Sequence, residues 1–149
     1  MAASIFSMKA ASKNVLNMKI DEYYDIGKIE KDPDSSCHLW KGRFTRIKGK
    51  CTSRYPIETF YYVVSDGKGG NRRVKKEHYV HIMIFFLKFG QIPVKNEYDI
   101  SHICHNATCV NPEHLSREPP IINNHRYNFC ALGGGLCHGH QSYPECIFE

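Results

Sequence analysis

Ser101-His102-Ile103-Cys104-His105-Asn106-Ala107-Thr108-Cys109-Val110-Asn111-Pro112-Glu113-His114-Leu115 decides how this chain is read. Cys104-x4-Cys109-x4-His114 combines the ligand types and the spacing of a tetrahedral zinc site. Thiolate sulfur and imidazole nitrogen are the donors zinc prefers, and short loops between them can close round one ion. The motif supplies three ligands, so the fourth comes from elsewhere. Cys51 and Cys37 can each supply it by closing a long loop. Ordinary buried thiols would leave the matching histidine unexplained.

Downstream, Cys130-Ala131-Leu132-Gly133-Gly134-Gly135-Leu136-Cys137-His138-Gly139-His140 and then Cys146 form a second soft-ligand set. The glycines let the backbone wrap tightly round an ion. His138 follows Cys137 directly, which makes joint coordination awkward, whereas His140 makes a Cys-x2-His clip. The second set is therefore read as Cys130, Cys137, His140 and Cys146. The stretch after Pro93 is poor in regular structure and rich in Asn, Pro, Gly, Cys and His. It cannot order itself by apolar burial, and structural zinc supplies roughly 10–16 kcal/mol in small peptides.

Five of the seven cysteines fall in the last third, interleaved with histidines, and the count is odd. In a reducing compartment this favours metal over disulfides. Met1 to Lys19 has no continuous apolar run of the kind a secretory leader needs. The longest apolar run, Ile82 to Leu87, is far too short to span a bilayer. The expectation is an intracellular protein, with no membrane partner, in one domain over the 149 residues.

The net charge of +5 is unevenly spread. From Lys41 to Lys76 there are eleven Lys/Arg against two acids, Glu58 and Asp66. That middle segment is a plausible footprint for a phosphate backbone, with Arg43, Arg46, Lys48, Lys50 and Arg54 as the expected DNA contacts. A basic run alone reads more readily as a solvated face. Its place just before the Cys/His sets favours the first reading.

Residues 1–17 read as a mobile arm or short helix, and a helix is expected around Ile20 to Ile29. From residue 37 to 70 the pattern is strand-like. Thr59-Phe60-Tyr61-Tyr62-Val63-Val64 is its strongest run, and Ser65-Asp66-Gly67-Lys68-Gly69-Gly70 closes a hairpin. A twisted antiparallel sheet of this kind fits the DNA major groove. Residues 73–89 are read as the main core helix, stopped by Gly90. His78 and His81 fall on it and are read as packed or surface side chains. Ile121 to Phe129 forms a short helix after Pro119-Pro120.

At these residues the chain resembles the His-Cys box homing endonucleases, members of the His-Me finger or ββα-metal nucleases. The match is Ser-His-Ile-Cys-His-Asn-x2-Cys-x-Asn-Pro-x-His-Leu, an Asn-bearing helix, then Cys-x6-Cys with a following His and Cys. It covers residues 101–146 well and 51–90 loosely. The resemblance implies an α+β fold: a ββα-metal core, a DNA-binding sheet and two zinc-stabilised loops. It implies hydrolysis of a phosphodiester in double-stranded DNA, leaving 5′ phosphate and 3′ hydroxyl ends, by a homodimer acting in the nucleus or another DNA-containing compartment. His102 becomes the general base and Asn124 the ligand of one Mg²⁺, with Asn123 as runner-up. Arg72 or Arg73 becomes the phosphate clamp. The distance from those arginines favours Cys51 over Cys37 for the first zinc. No acidic residue stands beside the asparagines on this helix, a departure from relatives. Smad-type DNA-binding domains share Cys-Val-Asn-Pro-x-His without the catalytic histidine. They frame the non-enzymatic alternative, a zinc-stabilised DNA-binding module.

Overall fold

Ser12, Leu16, Ile20 and Tyr23 recur at helical spacing and form the buried face of α1 (Ala10–Asp25). The computed structural model describes residues 8–46 and 54–149. The helix therefore begins earlier than the sequence pattern around Ile20 to Ile29 implied. Met8, just before it, bridges Val64, and the Val63 N–H donates to Ser12 Oγ at 2.7 Å. Gly27, at φ 74°, turns the chain out of the helix, which leaves Ile29 free for a strand.

That strand, β1 (Ile29–Lys31), pairs antiparallel with β2 (His38–Trp40) across the Asp32-Pro33 turn. The long hairpin follows: β3 (Ile57–Ser65) and β4 (Asn71–Tyr79), in register from Ile57 opposite Tyr79 to Ser65 opposite Asn71. Asp66 closes its turn by accepting from the Lys68 and Gly70 N–H groups. Phe60, Tyr62 and Val64 form the inner face of β3. Along β4, Val74, Lys76 and His78 are half-buried while their neighbours are exposed.

The core helix is shorter than expected. α2 runs Val80–Phe89 and ends at Gly90, φ 71°; residues 73–79 belong to β4. Period-two alternation beside a ready partner strand outweighs helical propensity there. The expected sheet over 37–70 is likewise divided. The described residues form three separate two-stranded sheets, and β2 pairs with β1 rather than with the hairpin. Phe44 makes only an isolated bridge to Pro56. Ile47 to Ser53, with the expected contacts Lys48 and Lys50, lie outside the described residues.

The main core joins α1, β3, α2, Trp40 and Val110. A smaller cluster of Phe85, Ile100 and Leu115 seats the third sheet, β5 (Asp99–His102) with β6 (Leu115–Glu118). The first cysteine motif forms the loop between these two strands. After β6, Pro119-Pro120 start α3 (Pro120–His125), which runs into a π-helical turn at Arg126–Ala131. The fold is mixed α and β with short antiparallel sheets, as expected in class. No described helix is long and apolar enough to cross a membrane.

Candidate metal centres and active site

The β5–β6 loop is laced to β2. Val110 N–H donates to the His38 carbonyl at 2.7 Å, Trp40 N–H donates to the Thr108 carbonyl at 3.1 Å, and Leu39 bridges Cys109. This lacing carries Cys37 to Cys104, Cys109 and His114, and all four ligand atoms lie within 4.8 Å of one another. His114 Nδ1 stands 3.6 Å from both Cys37 Sγ and Cys109 Sγ. A tetrahedral zinc with bonds of about 2.3 Å to sulfur and about 2.0 Å to nitrogen sets those atoms about 3.6 Å apart, so the donors fit the ion. A 3-10 turn, Pro112–His114, aims the histidine, with the Asn111 side chain accepting from Glu113 N–H. The far ring nitrogen is also engaged: Nε2 lies 2.8 Å from Ser36 Oγ, which in turn donates to Glu149. Such an outer partner fixes the tautomer and ring plane of a metal-binding histidine.

Cys37, the alternative to Cys51 for the fourth position, is the cysteine that the described residues bring to this cluster. Among the described residues these four donors make a complete tetrahedral set; Cys51 lies outside the described residues. The hydrogen bond from the Cys104 thiol holds the Cys109 thiol below its ordinary range.

The second cluster is Cys130, Cys137, His140 and Cys146, as the spacing implied. His140 Nε2 lies 3.7, 3.2 and 3.3 Å from the three sulfurs in that order. His138 is exposed. The π turn carries Cys130 into the cluster, and Arg126 on the same turn ties it to β6. Arg126 is 1% exposed and Glu118 0%. The guanidinium donates through Nε and Nη2 to the two Glu118 oxygens at 2.7 and 2.8 Å, and through Nη1 to Cys146 Sγ at 3.4 Å. From Cys146 the last residues form a strap to the first cluster. Ile147 N–H donates to the Ile103 carbonyl, Phe148 stacks on His105, and Glu149 reaches Ser36.

Between the clusters lies a cleft of about 180 Å³, lined by Tyr55, Ser101, His102, His105, Asn123 and Arg126 among others. His102, at the end of β5, sits 3.0 Å through Nε2 from the Cys109 carbonyl. A carbonyl only accepts, so Nε2 carries the proton and Nδ1 keeps the lone pair. Burial lowers the His102 pKa to about 4, which keeps the ring neutral at pH 7. His81, the second residue of α2, packs against it with ring centroids 4.7 Å apart. His81 is 5% exposed, and its Nδ1 has no hydrogen-bond partner among the described residues.

The family model described as the zinc-binding loop region of homing endonuclease matches residues 50–146 of this chain. The chain belongs to this family, that of the His-Cys box homing endonucleases. Searches of curated proteins and of solved structures return no match. The two Cys3His sets of this homing-endonuclease chain are accordingly its zinc sites, and the family carries a nuclease and DNA-binding role.

The expected site residues are distributed unevenly about the cleft. Asn123, not Asn124, lines the cleft; Asn124 is exposed outside it. Arg72 and Arg73 pair with Val64 and Val63 on the long hairpin and do not line the His102 cleft. Arg43 is exposed but engaged with Glu77 at 3.0 Å and Glu58 at 3.8 Å. Arg46 and Arg54 flank the undescribed segment. The sequence reading missed Asp99, which accepts from Asn123 Nδ2 at 3.4 Å. The acid absent from the helix arrives from β5 instead, and only the β5–α3 contact could have disclosed it.

Proposed function

We propose that this protein is a site-specific endonuclease of double-stranded DNA. It hydrolyses a phosphodiester and leaves 5′ phosphate and 3′ hydroxyl ends. The observation that carries the reading is the state of His102. One ring nitrogen is tied to a carbonyl inside a zinc loop, so the other carries the lone pair, and the residue lines the cleft. His102 takes a proton from the attacking water at Nδ1. The imidazolium so formed keeps its N–H bond to Cys109, whose carbonyl dipole stabilises the positive charge.

The succession β5, β6, α3 reads as a ββα-metal core. Asn123 takes the place first given to Asn124. Asp99 holds its amide N–H₂, which directs Oδ1 away as the free donor. Mg²⁺ prefers hard oxygen ligands of this kind, and when held by Asn123 it would offset charge developing on the leaving 3′ oxygen. Arg126 is engaged by Glu118, so phosphate recognition falls to other donors. Exposed Arg54, next to the cleft residue Tyr55, and Arg72 and Arg73 on the hairpin supply the positive field for the DNA backbone. A homodimer in a nucleus or other DNA-containing compartment belongs to the same reading.

The test is incubation of the purified protein with a random duplex library and Mg²⁺, followed by sequencing of cut ends. Wild type is expected to yield a defined cut site, and His102→Ala to lose about 10²-fold or more in rate while still shifting the duplex. A wild-type protein that shifts DNA but cuts nothing would instead be a non-catalytic zinc-stabilised DNA-binding module.

A further inference from the structure

His105 stands inside the first zinc loop with φ 59°. Histidine is among the residues that tolerate that left-handed conformation, but glycine or asparagine closes such a turn at least as readily. The turn itself therefore does not require an imidazole. The ring is nevertheless held firmly, stacked on Phe148 at 4.9 Å with the planes 17° apart. Its Nε2 is buried and has no hydrogen-bond partner among the described residues. His105 lines the same cleft as His102 and Asn123. A second, independent observation lies beside it. Ser101 is 1% exposed, lines that cleft too, and its Oγ is also buried with no partner among the described residues.

Buried polar atoms are nearly always paired, so two unpaired ones on one cleft mark where a polar group from outside the chain sits. The chemistry of that group follows from the wall. Serine hydroxyl and neutral imidazole both offer a donor, and no carboxylate is among the described lining residues. The fitting ligand is an anion with several acceptor oxygens, and a phosphodiester has this character. The two arginines expected to clamp the phosphate do not line the cleft, which leaves the role open.

We propose that His105, with Ser101 beside it, is a substrate-contacting residue: its Nε2–H donates to a non-bridging oxygen of the phosphate on which His102 acts. The bond forms with the neutral ring and needs no change of charge. It rests on the reading of the cleft as a phosphodiester site. Its role differs from that of His102, which accepts a proton where His105 donates a hydrogen bond.

The experiment compares wild type, His105→Gly and His105→Asn on the cleaved duplex recovered from the library, or on its tightest-binding duplex if nothing is cut. His105→Gly removes the ring and relieves the left-handed backbone. It is expected to keep two zinc ions and an undiminished melting temperature while the cleavage rate falls at least about tenfold. His105→Asn tolerates the backbone and restores an N–H donor, so it recovers part of the rate. Wild-type cleavage by His105→Gly overturns the proposal, and so does loss of zinc together with cleavage, since the imidazole would then serve the loop. In parallel, the Nε2 resonance of His105 in the wild-type protein is followed as duplex is added without divalent ions. A shift is expected, and an unmoved resonance at saturation overturns the proposal. A wild-type protein that never cuts but shows the shift would sink the nuclease reading and leave the phosphate contact standing.

Discussion

Both ring nitrogens of His114 are occupied, Nδ1 by the thiol cluster and Nε2 by Ser36. Ser36 directly precedes Cys37, so one short segment supplies both a ligand and the support for another. This arrangement makes a definite prediction about the two rival cysteines. Cys37→Ser is expected to lower bound zinc from two ions per chain to one, and Cys51→Ser to leave two, as read by elemental analysis of natively purified protein. The reverse result would return the fourth position to Cys51. Three of the four donors were legible because short-range spacing fixes them. The fourth was not, because sequence cannot say which of two distant thiols the β1–β2 hairpin delivers. His102 was legible by resemblance, whereas the hydrogen bond that leaves Nδ1 free depends on a carbonyl seven residues away folding back beneath it.

At the scale of elements, the misread stretch is the most instructive. Val74 and Tyr79 sit at spacings that extend the apolar face of α2 backwards, yet residues 71–79 pair with β3. Alternation over that stretch was visible, but a hairpin partner decides between the two periods and lies outside any local window. His78 belongs to this strand, 2.8 Å from Tyr62 Oη, and burial lowers its pKa to about 4. In the unfolded chain it titrates at its ordinary value of about 6.5. Between about 6.5 and about 4 the unfolded state therefore binds the proton that the folded state refuses, and stability is lost as pH falls through that window. Wild type is expected to lose more melting temperature from pH 7 to pH 5 than His78→Gln, which cannot titrate; parallel losses would refute the assignment. The link between β6 and the π turn is the buried Arg126–Glu118 pair. Removing one partner strands the other charge, so Arg126→Met is expected to cost about 3–5 kcal/mol in denaturant unfolding. A loss below about 1 kcal/mol would refute the pair as the link between β6 and the π turn. The same π turn accounts for the asparagine. Counted forward from His114 the cleft residue is Asn123, counted back from Cys130 it is Asn124, and the wider turn between them accommodates the difference.

Across the whole molecule the two zinc sites are embedded to different depths. The first is laced to β2, and Val110 from its loop is fully buried in the main core. The second hangs on the π turn and a glycine-rich loop, among exposed Phe129, Leu132 and Leu136. Cys109→Ser is therefore expected to lower the melting temperature more than Cys137→Ser in matched thermal scans. Equal losses would show that the first loop stands apart from the core. The mixed class was readable from the resemblance and from the helical and strand-like patterns, and the sparse regular structure after Pro93 from composition, but the division into three small sheets was not, since strand pairing is non-local. The strap from Cys146 to Glu149 has one further consequence. It leaves one metal site through a ligand of that site and finishes on the residue that steadies a ligand of the other. Extraction of either ion slackens the tether that orders its neighbour, so demetallation is expected to run as a cascade, with the second departure easier than the first.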